Sequence, residues 1–142
     1  MGELTFFYID KKKNIKIPYF EGGVSAGFPS PAEDHMQSKL DLNDLLIDHP
    51  SATYYVRVNG NSMLDAGILS GDLLVVDRSL EVRDNSIVVA HLNGEFTVKR
   101  LKKRKGKIFL EAENKDYKPI EITEEIDFEI FGVVAHAIHH FL

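Results

Sequence analysis

Ser62 follows a run and a turn that together suit a nucleophile. Thr53-Tyr54-Tyr55-Val56-Arg57-Val58 has the aromatic and β-branched composition of a strand, and Asn59-Gly60-Asn61 are turn formers. A serine just past a strand-to-turn corner points its hydroxyl out of the sheet, the geometry that nucleophilic attack needs. A serine hydroxyl near neutral pH also needs a base. The chain has six histidines, none of them in a recognisable triad arrangement. Lys99 stands out instead, embedded in the strand-like run Glu95-Phe96-Thr97-Val98-Lys99-Arg100-Leu101. Alternation puts Thr97, Lys99 and Leu101 on one face of that strand and Phe96, Val98 and Arg100 on the other. Lys99 thus has a hydroxyl and an apolar side chain as companions. To accept a proton it must be neutral. Free lysine titrates at about 10.4, whereas catalytic lysines are drawn down to about 7 to 8 by burial. On the strand pattern alone the simpler reading is an exposed lysine at the head of a basic run, because lysine is rarely fully buried.

That basic run, Lys99 to Lys107, holds seven Lys or Arg in nine residues, in a chain of net charge −5. Its plain reading is a solvated hairpin tip around Gly106. Its sharper reading is a patch for nucleic acid or an acidic partner, although a dedicated DNA binder shows a basic balance overall. His136, His139 and His140 invite a metal. Adjacent strand residues face opposite ways, however, and with no cysteine or compact acidic set to complete a site, no metal and no cofactor are expected. Glu124-Glu125 lacks a partner pattern and reads as surface. Neither a GxxxxGK[ST] nor a GxGxxG motif is present, so nucleotide binding is not indicated.

The elements that must position Ser62 and Lys99 are mostly strands. Leu73-Leu74-Val75-Val76, opened by Gly71-Asp72, is apolar on both faces and reads as a fully buried strand. Ser86 to Leu92 is another. Asn93-Gly94 is a two-residue hairpin signal that returns the chain through Glu95 to Leu101. Lys107 to Glu111, a short piece at Ile120 and Ile122, and a long run from Phe128 to Ile138 complete the set. Leu64 to Ser70 reads as a helical turn or loop. Leu42, Leu45 and Leu46 have helical spacing within Leu40 to Ile47, with a stop before Pro50 and His49 at the helix end. Many short strands with turn signals predict a mainly β domain. Ahead of it lie two apolar bursts, Leu4 to Ile9 and Ile15 to Phe20, fitting a small hairpin or two extended pieces. Glu21 to Gly27 then reads as linker, and Phe28-Pro29-Ser30-Pro31 as a segment that its prolines keep extended.

Length, 142 residues, suits one domain with a short appended arm, and 44% hydrophobic with 27% charged residues marks a globular chain. No apolar run approaches the roughly 20 residues that span a bilayer. The apolar start is interrupted by Asp10-Lys11-Lys12-Lys13 too early for a signal peptide. Without cysteine there is no disulfide framework, and a reducing cytoplasm is the simplest location.

Several of these segments, taken in order, resemble the LexA/UmuD family of self-cleaving serine-lysine proteases (peptidase family S24). They are Gly60-Asn61-Ser62-Met63, then Gly71-Asp72-Leu73-Leu74-Val75-Val76-Asp77, then Gly94-Glu95-Phe96-Thr97-Val98-Lys99-Arg100. The resemblance also takes in Ala26-Gly27-Phe28-Pro29-Ser30-Pro31-Ala32, similar to the family's self-cleavage site, and Leu40 to Ile47 and His49 to Tyr54, so that it runs over roughly residues 26 to 136. Any one of these motifs is common; all of them in this order and spacing are specific.

The resemblance implies a compact, strongly curved β domain, β-clip-like and of the LexA C-terminal-domain type, over residues 40–142, with a mobile N-terminal arm over 1–39. It implies a Ser62–Lys99 dyad, an oxyanion hole from the backbone N–H groups of Asn61 and Ser62, and a cut between Ala26 and Gly27. It further implies a homodimer, cleavage stimulated by a RecA filament, and association of the trimmed form with a UmuC-type translesion polymerase, with no direct specific DNA binding and no membrane. Alternatives are a LexA-like or phage-type repressor, which requires about 60 residues of helix-turn-helix domain ahead of the cut, and a non-catalytic polymerase-binding module. A signal peptidase shares the dyad but requires a membrane anchor.

Overall fold

The computed structural model describes residues 3–8, 15–20 and 36–142. Two compact units divide the chain: residues 1–9 together with 49–142, and residues 10–48.

In the larger unit the strands are β1 (Glu3–Tyr8), β4 (Thr53–Asn59), β5 (Leu73–Asp77), β6 (Ile87–Leu92), β7 (Glu95–Arg104), β8 (Lys107–Glu111), β9 (Ile120–Ile122) and β10 (Phe128–Ile138). Among the described residues they form one eight-stranded sheet in the order β1-β4-β5-β10-β6-β7-β8-β9, every neighbouring pair antiparallel. Two of its connections are tight turns. Asn93-Gly94 (φ 48° and 88°) joins β6 to β7, and Lys105-Gly106 (φ 49° and 76°) joins β7 to β8. Positive φ at both corners matches the right-handed twist of the flanking strands. The basic run therefore does fold into a hairpin around Gly106.

The sheet curls. β10, at its centre, carries register shifts between Ile130 and Gly132 against β6 and between Val134 and His136 against β5; such bulges bend a strand and increase its twist. Gly132 permits the first of them. Its φ is 149°, and a Cβ there would lie 2.6 Å from Val76 Cγ1. The curl brings β1, first in the sheet order, against β7, sixth in it: the rings of Phe6 and Phe96 are 5.1 Å apart. The result is a half-barrel, which bears out the expected curved β domain.

Apolar side chains fill both faces. One cluster joins Val56, Leu74, Val76, Val89 and Val98 with Met63 and Ile68; a second joins Val88, Ala90, Leu92, Leu101, Leu110 and Val133. Val88 and Val89 are successive, so their side chains leave opposite faces of β6 and reach different clusters. Each such fully buried aliphatic side chain stabilises the fold by about 1.5–3 kcal/mol. β5 is buried from Leu74 to Asp77, as its unbroken apolar run predicts.

In the smaller unit β2 (Ile17–Phe20) pairs with β3 (Met36–Leu40), and α1 (Leu42–Leu46) follows. Asp41 caps α1, its carboxylate accepting the Asn43 N–H at 2.9 Å. The two N-terminal apolar bursts are thus extended pieces in different units: β1 pairs with β4, and β2 with β3. The expected linker and the segment Ala26-Gly27-Phe28-Pro29-Ser30-Pro31 lie outside the described residues.

Candidate active site

Ser62 is presented by a corner with three anchors. Gly60 turns the chain out of β4 with φ 134°, a conformation that suits only glycine. The Gly60 N–H donates to Ser70 Oγ at 3.0 Å, and Ser70 Oγ donates to Asn59 Oδ1 at 3.3 Å. The Leu64 N–H donates to the Asn61 carbonyl at 3.2 Å, closing a turn with Ser62 and Met63 at its centre. Beyond it a short 3-10 helix, Leu64–Ala66, ends on Gly67. Met63 is the interior anchor, its side chain 2% exposed within the first apolar cluster. On the far side the segment after β8 clamps the loop. The Asp65 N–H donates to the Glu113 carbonyl at 2.7 Å and Asn114 Nδ2 donates to the Asn61 carbonyl at 2.8 Å. The half-buried Ser62 is thereby held facing β7.

Lys99 lies on β7, paired with Val88 of β6, and is 3% exposed. Burial lowers its ammonium from 10.5 to about 8. Among the described residues no carboxylate contacts its amine, so nothing opposes that effect. Nζ is 2.6 Å from Thr97 Oγ1, 3.2 Å from the Val98 carbonyl oxygen and 3.3 Å from Ser62 Oγ. The three partners are chemically unequal. A carbonyl oxygen only accepts, and the Thr97 hydroxyl at 2.6 Å is placed to accept as well. A neutral amine has two N–H groups to give to these two, and its lone pair is left for the Ser62 O–H. The 3.3 Å separation is at the loose end of hydrogen-bond reach, as is common before substrate arrives.

Two further features face Ser62. Among the described residues no acceptor meets the backbone N–H groups of Asn61 or Ser62. Beside the hydroxyl is a recess of about 20 Å³ lined by Leu4, Val58, Asn59, Gly60, Ser62, Met63, Thr97 and Val98. It has room for about one water-sized or methyl-sized group. The arrangement thus combines a hydroxyl, a low-pKa amine, amide donors that meet no acceptor among the described residues, and a small side-chain recess within one corner.

Of the residues singled out from the sequence, Ser62, Lys99 and Asn61 converge, whereas Ala26 and Gly27 lie outside the described residues. Alternation placed Thr97 beside Lys99 but did not reveal that its hydroxyl orients the amine. Asn114 and Glu113 sit in a stretch that reads only as loop, and no local pattern marks them as clamps.

The remaining charged residues have other work. Arg100 pairs with Glu113, Arg104 with Glu111 at 3.0 Å and Lys107 with Glu121 at 3.6 Å, while Lys102 donates to the Asn85 side chain. Three members of the basic run are therefore paired with acids, and its first member is turned inward. His139 Nδ1 lies 2.6 Å from Asp72 Oδ1, and Asp72 is 1% exposed with its other oxygen accepting the Leu69 N–H. His49, expected at a helix end, precedes the 3-10 turn Pro50–Ala52 and lies 2.7 Å from Asp77 Oδ2. Burial raises the Asp77 carboxyl, but hydrogen bonds from Ser79 and His49 outweigh it and hold that carboxyl below its ordinary value. Among the described residues no three His, Cys, Asp or Glu side chains gather to hold a metal ion, and no helix is long and apolar enough to cross a membrane.

Comparison with known proteins converges on the same corner of sequence space. Residues 18–135 match the family described as Peptidase S24-like. Protein MucA of Salmonella typhimurium is 46% identical over 123 residues, covering 86% of this chain and 84% of its own. Protein ImpA of Shigella flexneri is 44% identical over 123 residues, covering 86% and 83%. LexA repressor 1 of Pseudomonas syringae pv. tomato is 44% identical over 121 residues, covering 78% of this chain and 59% of its own. A match this long, on a fold whose curl presents a serine to a buried lysine, means that the chain belongs to the Peptidase S24-like family of self-cleaving serine peptidases.

Proposed function

We propose that Ser62 and Lys99 are the dyad with which this chain cuts itself between Ala26 and Gly27. One observation carries the reading: a buried, low-pKa amine lies 3.3 Å from a serine hydroxyl, with Thr97 and Val98 occupying its N–H groups. Neutral Lys99 takes the Ser62 proton as Oγ attacks the Ala26 carbonyl carbon. The oxyanion that forms is met by the N–H groups of Asn61 and Ser62, which supplies electrostatic stabilisation where charge develops. The C–N bond to Gly27 then breaks, and Lys99 returns its proton to the leaving amine. Water hydrolyses the acyl-enzyme with Lys99 again as base. The methyl of Ala26 suits the recess beside Ser62. Tethering substrate to enzyme raises the effective concentration and offsets the low fraction of neutral lysine at pH 7.

In this reading residues 1–39 are the arm that carries the cut and residues 40–142 are the protease. The biological setting is that of a UmuD-type protein in the SOS response to DNA damage, in the cytoplasm. The trigger is a RecA filament on single-stranded DNA, the active species a homodimer, and the consumer of the trimmed form a UmuC-type error-prone polymerase. Family membership and the likeness to MucA and ImpA support this setting. The test is mass spectrometry with N-terminal sequencing after incubation at alkaline pH without an activator. A product beginning Gly27-Phe28-Pro29 is expected; a different first residue overturns the assignment of the cut.

A further inference from the structure

We infer that β1 is a removable cover over β4: once the chain is cut behind it, the vacated edge takes an extended segment of a partner protein with large apolar residues at alternate positions. The inference rests on the reading that the cut falls between Ala26 and Gly27, which leaves β1 on the released piece. β1 is the last strand at its end of the sheet and pairs with β4 from Glu3 opposite Asn59 to Tyr8 opposite Tyr54. In the intact chain the arm and the sheet are one molecule, so β1 competes at high effective concentration against any other strand. The cut converts it into a peptide that dilution removes. β4 then presents a row of unpaired N–H and C=O groups, a template for strand addition.

What β1 presents to the sheet defines what replaces it. Leu4 packs on the first apolar cluster and lines the recess beside Ser62. Two residues on, Phe6 lies 5.7 Å from Tyr54 and 5.1 Å from Phe96. Phe96 in turn stacks edge-on against Phe131 at 5.0 Å. A groove of about 290 Å³ bounded by Phe6, Tyr54, Arg78, Phe96 and Phe131 lies alongside, and loss of Phe6 widens it over aromatic surface. The outward residues Thr5 and Phe7 leave Arg57 free of any cation, with Thr5 opposite it and the Phe7 ring 5.9 Å from its guanidinium. The incoming segment therefore runs antiparallel to β4, with an aliphatic residue followed two positions later by an aromatic one. It carries no Lys or Arg opposite Arg57, because like charges directly across a strand pair destabilise it.

The test separates this inference from self-cleavage. Ser62→Ala silences the proposed nucleophile, and a recognition sequence for a site-specific protease inserted between Gly22 and Gly23 lets the chain be cut on demand. A fluorescein-labelled peptide of residues 2–9 is the probe. It is expected to bind the cut chain saturably, and the uncut chain about tenfold or more weakly. The same peptide with Phe6→Ser loses binding by a similar factor. Amides of β4 should exchange faster once the fragment is removed and slow again when the peptide is added. In the uncut chain, Leu4→Ser together with Phe6→Ser is expected to loosen β1 and admit the peptide. Equal binding to cut and uncut chains, no binding to the cut chain, unchanged β4 exchange, or no admission of the peptide by the double variant overturns the inference. A rise in mass on release of the fragment, with β4 protected in the absence of peptide, assigns the edge to a second copy and overturns the choice of a partner protein.

Discussion

Burial draws the Lys99 ammonium down toward neutral pH, and the fold bears the cost. Its ammonium falls from 10.5 to about 8 because the side chain is 3% exposed. The unfolded chain therefore binds more protons than the folded one between about pH 8 and 10.5, and this group's contribution to stability rises with pH across that window. At pH 7 the burden is about 3 kcal/mol. Lys99→Met should remove it while leaving the Thr97 hydroxyl without its partner, which returns about 1 kcal/mol. The variant should be inactive yet melt about 5 °C higher than the wild type at pH 7, and the difference should close as the pH approaches 10.5. A variant that melts lower at pH 7, by a margin that stays constant with pH, contradicts the assigned cause. Ser62→Ala and Lys99→Ala should each abolish self-cleavage in a folded chain, and the pair together should be no worse, since residues acting as one unit are not additive. Peptide mapping after alkaline incubation checks all three; normal cleavage by Lys99→Ala makes another residue the base. At this scale the sequence was informative about types and spacing and silent about burial. Alternation put Thr97 next to Lys99, but whether a mid-strand lysine points into an interior depends on what packs over it, here a loop from a distant part of the chain.

Individual elements follow from short-range rules wherever the rule is local. Asn93-Gly94 makes the β6–β7 hairpin, the apolar run makes β5, and Phe128 to Ile138 forms β10 over its whole length. The features that curl the sheet were not legible. The bulge at Gly132 answers to Val76, which sits on a different strand, and the pairing of β1 with β4 joins residues more than forty positions apart. Gly132 carries a test. With φ at 149° and Val76 Cγ1 2.6 Å from an added Cβ, Gly132→Ala combines backbone strain with overpacking and should destabilise by about 2–4 kcal/mol. The urea midpoint measures this; a shift under about 0.5 kcal/mol would show that the bulge relaxes freely. Asn114→Ala should act differently, slowing self-cleavage by loosening the Asn61 carbonyl while costing only about 1 kcal/mol of stability, because Asn114 is only half-buried.

Across the whole molecule, acidic residues outnumber basic ones, and the basic run from Lys99 to Lys107 is partly paired with acids. Net charge is −5, Lys99 is interior, and Arg100, Arg104 and Lys107 are paired with acids. Lys102, Lys103 and Lys105 remain without acidic partners among the described residues. About three phosphate contacts give a salt slope no steeper than about −3 on duplex DNA. Binding should be weak and indifferent to sequence, as a titration on random and operator-like duplexes at several salt concentrations would measure. Nanomolar, sequence-selective binding would favour a repressor. At this scale the acidic balance was legible in composition, whereas the pairing of Arg100, Arg104 and Lys107 with acids was not, because it depends on how the strands fold back on one another.

The claim that neutral Lys99 is the base for Ser62 is tested most directly by the pH dependence of the self-cleavage rate in the absence of an activator. The fraction of neutral lysine grows tenfold per pH unit below its pKa and then saturates. The logarithm of the rate should therefore rise with a slope of about one up to pH 8 and level off above it. A profile that is flat from pH 6 to 9, or one that keeps climbing toward the ordinary lysine range near 10.4, would contradict a buried lysine base.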